Sequence, residues 1–199
     1  MSTPIPPEDD PYFKNRLSLE AAGVSLELCT AALLFSAHRI DDGWTLLLET
    51  LRERGVAPQA VLEPGCNYGA IGLALAKMHP GARVVLADKD LLALRYTEFN
   101  RRLNGLDNAE VVGGVGLEGV PQQEFDLAVC DMPAKIGDRA IEHDFVLAPL
   151  ERLVPGGSYW IVADSQLNRL LPGIARRRKL SLTEVIRRSG RIVFCFKKR

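Results

Sequence analysis

Long apolar runs are missing from this sequence. In 199 residues no stretch approaches the ~18 consecutive apolar residues of a membrane-spanning helix, and Cys29–Phe35 is among the longest. The opening residues, MSTPIPPEDDP, are acidic and proline-rich, without the basic start and apolar centre of a secretory signal. Cysteine is scarce and scattered. Cys29, Cys66, Cys130 and Cys195 form no C-x-x-C pair, which argues against a zinc site or a disulfide framework and indicates a reducing, cytoplasmic setting. His38, His79 and His143 stand alone, so no metal site is expected. Neither sign of charge prevails, with 25 Lys+Arg against 25 Asp+Glu.

What is present is an ordinary globular composition, 47% hydrophobic and 25% charged. The length suits one domain with a short extension. The zero net charge hides an asymmetry. Residues 168–199 hold eleven basic residues and one acid, Glu184, so the rest of the chain is correspondingly acidic. Arg176, Arg177, Arg178, Lys179, Arg187 and Arg188 form the densest part of this basic end, a candidate footprint for RNA phosphates. Arg176–Lys179 are expected in a loop before the last two strands.

Periodicity then divides the chain. Residues 1–34 read as an N-terminal arm and lead-in helix, and residues 35–199 as the main domain. From Asp42 to Arg54, Trp44, Leu46, Leu47, Leu48 and Leu51 recur at helical spacing. Strand-like runs at 60–62, 83–87, 110–112, 125–130 and 158–163 alternate with helical stretches at 70–78, 91–103 and 141–153. Such alternation predicts an α/β fold: a Rossmann-like, seven-stranded, mostly parallel sheet with helices on both faces. Ser189-Gly190, between two apolar runs, predicts a closing hairpin that adds an antiparallel strand.

The most informative stretch is Val61-Leu62-Glu63-Pro64-Gly65-Cys66-Asn67-Tyr68-Gly69-Ala70-Ile71-Gly72. A strand runs into a turn of small residues that opens a helix, the place where open α/β sheets bind ligands. A dinucleotide fingerprint requires G-x-G-x-x-G, and Asn67 stands at its second glycine. A P-loop requires Gly-Lys-Ser/Thr, which is absent. The spacing that fits is acidic-x-Gly-x-x-x-Gly, carried by Glu63, Gly65 and Gly69. The next strand ends at Asp88, a carboxylate placed to accept both hydroxyls of a ribose.

At these residues the sequence resembles the class I S-adenosylmethionine-dependent methyltransferases. VLEPGCNYGAIGLALAKMHPGARVVLADKD looks like their first two motifs, and FSAHRIDDGWTLLLETL looks like the lead-in of the "small" methyltransferase domain group. CDMPAKIGDRAIEHDF sits where that group carries an Asn/Asp-Pro-Pro-aromatic motif. The match covers about residues 35–199 and is most similar to the ribosomal RNA guanine-N2 branch, without that branch's extra N-terminal domain. The resemblance implies that Glu63, Gly65, Asn67 and Gly69 shape the pocket for the methionine end of S-adenosylmethionine. It implies that Asp88 holds the ribose hydroxyls and that Lys89 lies beside the adenine. Asp131 and the Met132 carbonyl would accept hydrogen bonds from an exocyclic amine, with Pro133 directing that carbonyl through its locked φ.

Four positions depart from the pattern. Asn67 replaces a glycine, Gly114 an acid that contacts adenine, Met132 a proline, and Ala134 the aromatic that stacks on the target base. Tyr68, Phe145 and Trp160 are candidate replacements for that aromatic. The implied activity is methyl transfer to a nitrogen, with an exocyclic base amine of structured ribosomal RNA as acceptor. The alternatives are a protein or small-molecule methyltransferase, or a non-catalytic scaffold on the same fold. No oligomeric state follows from the sequence.

Overall fold

The computed structural model describes residues 9–199. The first eight residues of the expected N-terminal arm lie outside that range. The apolar runs become β3 (Ala60–Pro64), β4 (Arg83–Asp88), β5 (Ala109–Gly113), β6 (Phe125–Asp131), β7 (Leu153–Asp164), β8 (Ser181–Arg188) and β9 (Arg191–Lys197). They form one seven-stranded sheet in the order β5-β4-β3-β6-β7-β9-β8. β3 to β7 run parallel, and β9 is antiparallel to both β7 and β8. Ser189 and Gly190, both at positive φ, make the two-residue turn of the closing hairpin.

Because successive strand residues point to opposite faces, each strand feeds two cores. Val61, Val84, Leu86, Leu127, Val129 and Val162 pack with α1 (Asp42–Glu53), α2 (Ala70–Met78) and α3 (Leu91–Leu103). Leu62, Val85, Ala128, Cys130, Ile161 and Phe194 pack on the other side, with α4 (Asp138–Glu142), α5 (Ala148–Glu151) and α6 (Leu170–Arg178). A π-helical turn at His143–Leu147 joins α4 to α5. Chain order reverses direction between β3 and β6, so the crevice at their carboxyl ends is the topological switch point of the sheet. Among the described residues, no helix is long and apolar enough to cross a membrane.

Two segments differ from the sequence reading. The expected lead-in helix is replaced by a β-hairpin, β1 (Phe13–Ala21) and β2 (Val24–Ala31), turning at Ala22 and Gly23, both at positive φ. Leu17, Leu19 and Ala21 alternate with Ser18 and Glu20, and Leu26 and Leu28 with Glu27, the period of a half-buried strand. Arg176–Arg178 form the last turn of α6 rather than a loop, and Lys179 ends that helix in the left-handed conformation. Basic side chains suit that place because the C-terminus of a helix is its negative pole.

Asn100 of α3 fastens the hairpin to the domain. Its side chain accepts from Cys29 N–H at 2.7 Å and donates to the carbonyls of Cys29 (3.0 Å) and Tyr68 (2.9 Å). All three contacts are buried. Asn100→Ala is expected to destabilise the protein by about 3 kcal/mol, because it orphans buried backbone groups at both ends. Urea denaturation checks this, and Tyr68 ties the same change to the loop described next.

Candidate functional site

The turn after β3 is held from below by the end of β4. The Gly65 and Cys66 N–H groups both donate to the Ala87 carbonyl, at 2.7 and 3.0 Å. Asn67 takes a left-handed φ of 54°, a conformation asparagine tolerates better than most residues, so the turn survives the loss of a glycine. Its N–H donates to Asp88 Oδ2 at 2.9 Å, its carbonyl accepts from the Thr97 hydroxyl, and its amide donates to the Phe35 carbonyl at 2.9 Å. Gly69, also left-handed, opens α2. Asp88 Oδ1 accepts from Asp90 N–H at 3.0 Å. Each Asp88 oxygen therefore spends one lone pair on the backbone and keeps one for a ligand.

Glu63 is buried at 2% exposure, and its Oε2 accepts from Gly72 N–H at 2.8 Å. A side chain at Gly72 would collide with that carboxyl, so the glycine lets α2 close onto β3. Burial drives the Glu63 pKa up to about 8. The Gly72 bond works against this rise, and the nearby Asp88 and Asp131 add to it. Burial, with Glu63 and Asp88, likewise pushes the Cys66 thiol up, and burial with Asp131 does so for Cys130, so neither is poised as a nucleophile.

Across the switch point, Asp131 ends β6, paired in register with Val162 of β7. Its Oδ2 accepts the Trp44 indole N–H at 2.8 Å. Burial raises its pKa to about 6. The Trp44 bond and Arg191 pull it down, and Asp41 and Asp164 push it up. Met132 is buried and its N–H donates to the Val162 carbonyl at 2.8 Å. Pro133 is half-buried beside it. Lys89 is exposed and makes no side-chain hydrogen bond or ion pair among the described residues. Gly114 lies in a turn so tight that a Cβ there would come within 2.7 Å of Gly119 N, which leaves no room for an acid.

The structure thus brings Glu63, Gly65, Asn67, Gly69 and Asp88 into one bonded loop and sets Asp131 on the neighbouring strand end. Of the aromatic candidates, Tyr68 and Trp160 are buried, with Trp160 donating to Ser158 Oγ. Phe145, on the π-helical turn, lies against the loop: a Cβ at Gly65 would come within 2.9 Å of its ring. Sequence reading missed Trp44, Asp41, Arg191 and the exposed Phe35. Trp44 was visible only as one apolar position among several in α1, and no local pattern marks an indole aimed at a carboxylate 87 residues away. Among the described residues no group of three or more His, Cys, Asp or Glu could hold a metal ion.

The model of the methyltransferase small domain family matches residues 25–188. A ribosomal RNA small subunit methyltransferase C of Pseudomonas aeruginosa (strain LESB58) is 32% identical over 166 residues, covering 81% of this chain and 49% of that protein. Its counterpart in Hahella chejuensis is 35% identical over 151 residues, covering 74% and 42%. The chain therefore spans about half the length of the curated relatives it matches. Among solved structures, a T. thermophilus 16S rRNA N2 methyltransferase in complex with AdoMet and guanosine superposes with a TM-score of 0.80 at 26% identity, covering 93% of this chain and 50% of that one. A methyltransferase from Pyrococcus furiosus, at 19% identity and a TM-score of 0.62 over 75% and 79%, shares the fold.

The raised Glu63 carboxyl has a consequence for stability. A raised acid binds its proton more tightly folded than unfolded, so this contribution to stability is lost as pH rises from about 4.5 toward 8. Glu63→Gln is expected to remove that slope. Thermal melts at pH 5 and pH 8 should show the wild type losing more stability than the variant.

Proposed function

The chain belongs to the methyltransferase small domain family, and on that premise we propose that it is an S-adenosylmethionine-dependent N-methyltransferase acting on an exocyclic base amine of structured ribosomal RNA, in the cytoplasm. The observation that carries this reading is the pairing, across the switch point, of a ribose-type acid, Asp88, with an amine-type acceptor, Asp131 followed by Met132 and Pro133. The relatives' names point to the same substrate class.

The residues fit the cofactor. Asp88 has a lone pair open on each oxygen for the ribose hydroxyls. Glu63, Gly65, Asn67 and Gly69 line the loop for the methionine end, where a cationic ammonium would offset the burial and neighbouring acids that raise Glu63. Leu91 and Val115, exposed on the segments after β4 and β5, offer apolar surface beside Lys89 for an adenine ring. When bound, S-adenosylmethionine supplies a methyl group already activated on a sulfonium.

The chain's own residues do the rest by position and charge. An exocyclic amine is a weak nucleophile because its lone pair is delocalised into the ring. Asp131 and the Met132 carbonyl would each accept one of its N–H groups, favouring a pyramidal nitrogen with its lone pair free. As the nitrogen gains a methyl it loses a proton, and Asp131 is the acid–base group nearest to receive it. Pro133 holds the direction of the Met132 carbonyl. Such positioning and electrostatic effects supply most of the rate where no strong base is required.

The basic end supports an RNA acceptor. Arg177 and Arg178 are tied to Glu142 of α4 at 2.7 and 2.6 Å, which anchors the end of α6 to the helix that follows the acceptor motif. Arg187 is held by Glu184 at 3.0 Å. Arg176, Lys179 and Arg188 are exposed and make no ion pair among the described residues, so their charge is available to phosphates.

Two outcomes test the reading. Asp88→Ala should weaken S-adenosylmethionine binding by roughly 10- to 100-fold, the worth of one charge-assisted hydrogen bond. Asp131→Ala should leave that affinity nearly unchanged and abolish transfer of labelled methyl groups to ribosomal RNA. Calorimetry and a transfer assay separate these roles. Label appearing in protein alone would replace the acceptor, and loss of cofactor binding in Asp131→Ala would overturn the division. Replacing Arg176 and Lys179 with Ala should weaken RNA binding and make its dependence on log salt shallower by about 1–2.

A further inference from the structure

The family pattern accounts for Asp131 but not for the indole that holds it. Trp44 is the third residue of α1, and α1 is seated by its cap. Asp41 accepts from Gly43 N–H at 2.7 Å and pairs with Arg191 of β9. A Cβ at Gly43 would come within 2.8 Å of Asp41 Oδ1 and 3.0 Å of Val162 Cγ2, so the first turn of α1 lies directly on the end of β7. From there Trp44 reaches the end of β6. It is 3% exposed, with Tyr68 edge-on at 5.4 Å between centroids and Phe35 at 6.3 Å. Packed edge-on against both rings, the indole directs its N–H to Asp131 Oδ2 at 2.8 Å. Among the described residues Asp131 Oδ1 accepts no hydrogen bond.

We infer that Trp44 is a positioning residue for the acceptor site: its indole N–H occupies Oδ2 of Asp131 and so leaves Oδ1 as the oxygen that meets the acceptor amine. This rests on the proposed function for the identity of the acceptor, while the hydrogen bond itself does not. An indole suits the task because it can only donate. It holds the carboxylate without competing for the amine's hydrogens, and it favours the charged form, which accepts on both oxygens. The groups facing Asp131 divide by sign. Burial opposes its charge most, Asp41 at the cap of α1 and Asp164 at the end of β7 add to that, and Arg191 from β9 supports it. Glu63 on β3, itself raised to about 8, is the group that the Asp131 charge pushes up. The Trp44 bond therefore acts with Arg191 to keep the carboxylate ionised at neutral pH, against burial first and the neighbouring acids second.

The chain contains two tryptophans, which makes the test direct. In nitrogen-15-labelled wild-type protein, the Trp44 indole N–H resonance should shift between pH 5 and 7 with a midpoint near 6. That of Trp160, bonded to Ser158 Oγ at 3.0 Å, should stay still. In Asp131→Asn the Trp44 resonance should also stop moving. Trp44→Phe keeps a ring between Phe35 and Tyr68 but loses the donor. It should bind S-adenosylmethionine within about twofold of wild type, transfer methyl at least tenfold more slowly, and show the acid limb of its pH–rate profile about one unit higher. A Trp44 resonance that does not titrate, or a Trp44→Phe enzyme with unchanged kcat and acid limb, overturns the inference. The resonance needs no acceptor. A wild-type protein that titrates as described but methylates no RNA instead overturns the proposed function and leaves the Trp44–Asp131 pairing standing.

Discussion

The pleat of the sheet turns alternate residues to the same side, and this constraint organises everything at the carboxyl ends of its strands. Asp88, Asp131 and Asp164 end β4, β6 and β7, Glu63 is the last but one residue of β3, and each lies in step with the residues that pack beneath α1, α2 and α3. Four acids are thus gathered at one edge of one face. Burial raises the pKa of Glu63 and of Asp131, and neighbouring acids add to the rise. Each acid is held by a donor brought from elsewhere: Gly72 N–H for Glu63, Asn67 N–H for Asp88, the Trp44 indole for Asp131, and Gln166 N–H for Asp164. Arg191 stands among them, paired to Asp41 and 4.0 Å from Asp164. A polar row of this kind is costly to stability and suited to binding a ligand that carries both hydroxyls and a positive charge.

The segment between β2 and α1 links the N-terminal hairpin to this row. The Phe35 carbonyl accepts from the Asn67 amide and the Ser36 carbonyl from the Tyr68 hydroxyl at 3.1 Å, so two residues of the loop after β3 reach the same stretch of chain. Phe35 remains exposed above Trp44. The hairpin is itself tied to Tyr68 through Asn100. A region that looks like an appendage in sequence therefore supports the proposed cofactor loop on one side and, through Trp44, Asp131 on the other.

The loop after β3 was legible in the sequence because its parts are consecutive. A strand, a small-residue turn and a helix start within twelve residues carry their own periodicity, and Asp88 follows one strand later. The hairpin at 13–31 was not legible as strands. Its turn, Ala22-Gly23, lacks the Asn-Gly or Asp-Gly signature, and the two-residue alternation around it is short and stops at Cys29-Thr30-Ala31, all buried. The tightness around Gly114 was likewise out of view, since Gly119, not a neighbour in the pattern, fills the space.

The sequence by itself determined the order of strands and helices from α1 to β7, the closing hairpin, the turn that opens α2, and the acids at the carboxyl ends of β3, β4 and β6. Each of these is written in local spacing and turn chemistry. Only the tertiary structure decided that Trp44 meets Asp131 and Arg191 meets Asp41, which oxygen of Asp131 is occupied, and how far Glu63 is driven from its ordinary range. Those outcomes depend on the reversal of strand order between β3 and β6 and on the seating of α1 across β7. The contacts they create join residues 87 and 150 positions apart, and no periodicity in the chain encodes them.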